Sequence, residues 1–70
     1  MIKAFVKNKG CPKCEQVKVF IKSNHIPVDI VDAETDEGML ELISHNTMSV
    51  PSIFNENNEQ INVDLFLNKV

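Results

Sequence analysis

Three prolines, Pro12, Pro27 and Pro51, decide where this 70-residue chain can and cannot be helical. Proline has a fixed φ and no N–H to donate, so it is tolerated in the first turn of a helix and ends one elsewhere. Pro12 therefore marks a helix start, Pro27 forbids much helix beyond about Asn24, and Pro51 leads the chain into a strand. Between these points the apolar residues switch between a period of two and a helical period. Ile2–Val6 reads as a strand, with Ile2, Ala4 and Val6 on one side and Phe5 on the other. Cys14, Val17 and Ile21 then recur at three- and four-residue spacing, with Phe20 beside them. Val28–Asp32 is a second, β-branched strand. Thr35 or Asp36 can cap a second helix with Met39, Leu42 and Ile43 as its apolar face, ending near His45 and Asn46. Ser52–Phe54 reads as a third strand, residues 55–59 as a polar turn, and Gln60 and Ile61 as a short return strand. Asn62 caps a last helix whose stripe is Val63, Phe66, Leu67 and Val70.

The element order is thus β-α-β-α-β-β-α in one domain spanning residues 1–70. The opening βαβ unit requires parallel strands joined by a right-handed crossover, and the later hairpin adds antiparallel ones. The expected fold is α/β, a four-stranded mixed sheet with helices on both faces. A domain this small buries a modest share of its surface. Apolar residues form 43% of the chain, and its only aromatics are four phenylalanines, so the core must rest on Ile, Val, Leu and Phe.

The net charge is −3 and the chain has no arginine, which removes the bidentate reader of phosphate or guanine. No nucleic-acid partner is expected. Six of the seven lysines, Lys3 to Lys22, lie in the first third, leaving a mildly basic end around the cysteines; an ordinary solvated surface explains this equally well. No apolar run approaches the roughly 20 residues of a membrane span, and the first residues lack the apolar core of a signal peptide. The expectation is a cytoplasmic monomer without a membrane partner. In a reducing compartment, closely spaced cysteines are more often catalytic or metal-binding than structural.

Cys11-Pro12-Lys13-Cys14 falls where the first strand gives way to the first helix. A C-x-x-C beside a βαβ pattern reads as a redox motif. Cys11 would sit at the helix start, where unpaired N–H groups and the positive dipole end stabilise a thiolate. Cys14, one turn in, would be shielded and would face Cys11. Cys11 is then the attacking sulfur and Cys14 the resolving one, with Lys9 and Lys13 adding small electrostatic help. Two other readings stand beside this one. A purely structural disulfide closing so short a loop would contribute about 2 kcal/mol. A closed zinc site wants four ligands; His25 lies about 16 Å from Cys14 at helical rise, and His45 reads as a solvated helix-end residue. No metal site is expected.

The motif, followed 36 residues after Cys14 by Val50-Pro51 at the head of a strand, resembles the glutaredoxins and the wider thioredoxin superfamily. The resemblance implies a thioredoxin-like fold and a thiol–disulfide oxidoreductase with Cys11 and Cys14 catalytic. It implies that Pro51 is cis and that Val50 offers main-chain groups to a bound thiol. The residues implied to bind substrate are Lys7, Pro12, Lys13, Val50, Pro51 and Asp64. Lys7 and Asp64 would meet the carboxylate and the ammonium of glutathione. No tightly bound cofactor is implied; glutathione or a flavoprotein thioredoxin reductase would supply electrons, and disulfide-containing proteins would receive them. The sequence also departs from the family. Lys13 stands where tyrosine is common, Asn8 where a basic residue is usual, and no glycine pair precedes Asp64. Each departure weakens the expected hold on glutathione. The redoxin that serves ribonucleotide reductase, which thioredoxin reductase reduces, is an equal match. A carrier that binds metal or an iron–sulfur cluster through Cys11 is the rival of another class.

Overall fold

The computed structural model describes residues 1–68. The elements run β1 (Ile2–Val6), α1 (Pro12–Ser23), β2 (Val28–Asp32), α2 (Asp36–Ser44), β3 (Ser52–Phe54), β4 (Gln60–Ile61) and α3 (Val63–Leu67). They form a four-stranded sheet in the order β2-β1-β3-β4. β1 is parallel to β2, with Val6 opposite Asp32, and antiparallel to β3, with Ala4 opposite Ile53. β3 and β4 close the hairpin.

The period of two along β1 sorts the core into two layers. Ala4 and Val6 join Val17 and Ile21 of α1, Ile53 of β3 and Phe66 of α3. Phe5 turns the other way and joins Ala33, Leu42 of α2 and Phe54. Helices therefore cover both faces, α1 and α3 on one and α2 on the other. Phe20 and Phe66 meet edge to face at 5.3 Å between ring centroids and tie α1 to α3.

The helix starts follow from their capping residues. The Thr35 hydroxyl accepts from the Gly38 N–H at 3.0 Å, and the Asn62 side-chain oxygen from the Leu65 N–H at 3.1 Å. Asn24 closes α1 before Pro27 can intrude. Across the second layer Lys3 pairs with Glu41 of α2, and the hydrogen bond to that carboxylate raises the lysine's pKa.

Two sequence expectations change. Ile43 is 45% exposed instead of facing the core. Leu42 takes the inward position on α2, and its neighbour is turned about 100° away by the helical period. His45 is packed instead of solvated: its ring stacks on Phe54 at 4.1 Å and lies 5.5 Å from Phe5, closing the edge of the second layer. Val70 lies outside the described residues.

Gly38 sits where α2 presses on the end of β2. A Cβ there would run into the Asp32 carbonyl oxygen and stand 2.8 Å from its carbon. Gly→Ala inside a helix ordinarily stabilises by about 1 kcal/mol. Here the sign reverses: Gly38→Ala should cost about 1–3 kcal/mol, as overpacking does. Urea denaturation checks this, and a midpoint equal to or above that of the parent would contradict it.

Candidate active site

β1 and α1 are joined by residues 7–11, and this connection builds the site. Cys11 is the N-cap of α1, and Pro12 fills the first helical position. The first turn has N–H groups without helical partners. One of them, on Cys14, donates to Cys11 Sγ at 3.2 Å. Cys11 and Cys14 form a disulfide with their Cα atoms 5.2 Å apart. The two sulfurs occupy different surroundings. Cys14 is fully buried among Ala4, Val6, Val17 and Ile53, whereas Cys11 is half-buried and packs on the margin of the same cluster.

The other expected residues fall at varied distances from this pair. Lys7 enters through its main chain, its N–H donating to Cys14 Sγ at 3.4 Å. Val50 packs on the cluster that holds Cys14, and the Val50–Pro51 peptide bond is cis. The loop before that bond is fastened by the Ser52 hydroxyl, which donates to the Ser49 carbonyl at 2.6 Å. Lys13 and Asp64 are brought together: Lys13 Nζ stands 3.0 Å from Asp64 Oδ1, joining the starts of α1 and α3. Lys9 is exposed, and so is His25 at the opposite end of α1. Among the described residues no group of three or more His, Cys, Asp or Glu is placed to hold a metal ion, and no helix is long and apolar enough to cross a membrane.

Pro12 also opens a solvent-facing groove along the outer side of α1. Gln16, Val19 and Phe20 line it with Leu67 of α3, among the described residues.

A polar cluster behind the motif has no counterpart in the sequence reading. Asn8 contacts Asp32, Glu34 and Lys18. Its partners lie 10 to 26 residues away in sequence, so no local pattern signals them.

Comparison with known proteins adds the wider context. The crystal structure of the thioredoxin-like protein BC3987 matches with a TM-score of 0.73 and 21% sequence identity, covering 94% of each chain. That likeness establishes the thioredoxin-like fold. The glutaredoxin family model matches residues 2–60, and the chain belongs to that family. The match takes in Cys11, Cys14, Val50 and Pro51 but ends before α3 and Asp64. The comparison with curated proteins gives no match.

The contrast in burial sets an order of reactivity. In the reduced protein, iodoacetamide at about pH 6 should modify Cys11 at least about tenfold faster than Cys14, since access and a stabilised thiolate both favour Cys11. Peptide mapping after brief exposure reads this directly. Modification of Cys14 first would reverse the assignment.

Proposed function

We propose that the chain is a thiol–disulfide oxidoreductase that reduces disulfides of proteins or of glutathione adducts. The observation that carries this reading is the Cys11–Cys14 disulfide at the start of α1, one sulfur half-exposed and the other fully buried. Such a pair can cycle between dithiol and disulfide without rebuilding the fold.

In the reduced protein Cys11 attacks as thiolate. It bonds to one sulfur of the substrate disulfide and expels the other as a thiolate, which takes a proton. Cys14 then attacks Cys11 Sγ and releases the second substrate thiol. The substrate has gained two electrons, and the Cys11–Cys14 bond has formed. The Cys14 N–H, already directed at Cys11 Sγ, stabilises negative charge on that sulfur before attack. Pro12 keeps the connecting turn stiff. Val50 and Pro51 supply main-chain surface for the incoming chain, and the groove beyond Pro12 receives residues flanking the disulfide.

Glutathione is one source of electrons. Lys7 can meet a glutathione carboxylate, and Asp64 its ammonium. The Lys13–Asp64 ion pair favours a second source, because that carboxylate already has a cation beside it. With no glycine pair before Asp64, main-chain amides there are also less free to approach a ligand. A flavoprotein thioredoxin reductase as donor is the reading these features support; ribonucleotide reductase as acceptor is the alternative that the resemblance implies. The setting we propose is cytoplasmic and monomeric.

Cys14→Ser should stop the reaction at the first stage. Incubated with a disulfide substrate, this variant should accumulate a mixed disulfide at Cys11, seen as an added mass that a reductant removes. Cys11→Ser should form none. Mixed disulfide on Cys14 in the Cys11→Ser protein at the parent rate would overturn the mechanism, and a coloured, cluster-containing dimer on purification would favour the carrier.

The donor is tested by following NADPH with the oxidised protein and either glutathione plus glutathione reductase or thioredoxin reductase alone. Thioredoxin reductase should be the faster donor. Lys13→Ala should lower the glutathione concentration at half-saturation by about two- to fivefold, a modest effect because the pair is solvent-exposed. Asp64→Ala should not lower it. Saturation of the parent at low glutathione, indifferent to both substitutions, would remove the ion pair from the account.

A further inference from the structure

Asn8 occupies a position where the family resemblance implies a basic residue, and its structural partners give the asparagine a task of its own. Asn8 is exposed, and three of its polar groups are engaged. Its N–H donates to Glu34 Oε1 at 3.0 Å, and its side-chain amide donates to Asp32 Oδ2 at 3.3 Å. Its side-chain oxygen accepts from Lys18 Nζ at 3.1 Å. Lys18 is one turn beyond Cys14 on α1, is largely buried at 19% exposure, and also pairs with Glu15 at 3.2 Å. Asp32 is fixed in turn by the Glu34 N–H at 2.9 Å. One residue thereby joins the β1–α1 connection, the end of β2 and the helix that carries both cysteines. The residue just before it, Lys7, aims its N–H at Cys14 Sγ.

We propose that Asn8 is a positioning residue which, with Lys18 and Asp32, holds the Lys7 N–H on Cys14 Sγ and so sets the reduction potential of the Cys11–Cys14 couple. The proposal rests on the dithiol–disulfide reading above. The reduced couple carries the Cys11 thiolate beside Cys14, whereas the disulfide carries no charge, and an N–H aimed at the sulfur pair stabilises negative charge there. The held N–H therefore favours the reduced protein over the oxidised one, and a stabilised reduced form makes a disulfide more oxidising. Asparagine suits the position because it both donates and accepts. Aspartate would set a carboxylate against Asp32 and Glu34, and lysine would offer nothing to the Lys18 ammonium.

The test is equilibration of the full chain with dithiothreitol. In that exchange the reference dithiol gives up two electrons and two protons and closes to its own disulfide, while the Cys11–Cys14 bond opens to two thiols. Asn8→Ala should make the protein about fivefold harder to reduce, a shift of roughly 20 mV to more negative potential. Lys18→Met should shift it in the same direction, and it carries the test should Asn8→Ala fail to fold. A purely structural role would lower the denaturation midpoints of oxidised and reduced protein equally and leave the potential unmoved; that result in both folded variants would overturn the proposal. If the parent protein itself does not equilibrate reversibly with dithiothreitol, it is the oxidoreductase reading that fails.

Discussion

β1 bonds to β2 along one edge and to β3 along the other, and its side chains enter both layers of the core. Ala4, Phe5 and Val6 are each 1% exposed or less, which no other consecutive trio before β3 matches. Buried backbone groups must find partners, so β1 is held only when both neighbouring strands are in register. The position of its C-terminal end then follows. That end delivers residues 7–11 to the start of α1, and with them the Lys7 N–H and Cys11. The chemistry stands at the rim of the most constrained strand in the molecule, which is why so small a domain can hold a site in fixed geometry.

The two cysteines share a helix but not an environment. Cys14 is part of the packing that fastens α1 to the sheet, so enlarging or charging it would disturb the core as well as the chemistry. Cys11 lies outside the regular helix as its cap, where a change of bonding partner disturbs little else. A sulfur that must be released and recaptured in each cycle sits on the less constrained side of the pair.

Much of this was legible in the sequence because the deciding forces are local. Thr35 and Asn62 cap because their side chains reach the next turn, and Pro12 starts a helix because of its own ring. The alternation in Ile2–Val6 named the two faces of β1 before any partner was known. The motif was legible from its spacing beside a βαβ pattern, whereas the place of Val50-Pro51 beside it was legible only through resemblance, since nothing local brings residues so far apart into one region. What escaped was long-range or depended on rotation within a short helix. Asn8 looked like a missing cation and is instead a junction of three elements. Lys13 looked like a free charge beside Cys11 and is paired across 51 residues. His45 looked solvated because no pattern announces a stacking partner nine residues ahead on another element. Ile43 shows that nine helical residues give too little sequence to tell which of two adjacent apolar positions turns inward.

The sheet order also bears on how this protein behaves at high concentration. The outer strands are β2 and β4. An outer strand offers free main-chain donors and acceptors to any extended chain that meets it, and edge-to-edge pairing of this kind seeds aggregation. β4 has only two residues, too few to template a partner. β2 has five, and it carries Asp29, exposed, and Asp32 at its end. A second copy adding to this edge would bring like charges together, which cross-strand pairing disfavours. The same aspartate that anchors the loop behind the cysteines thus also places a negative charge at the end of the longer outer strand.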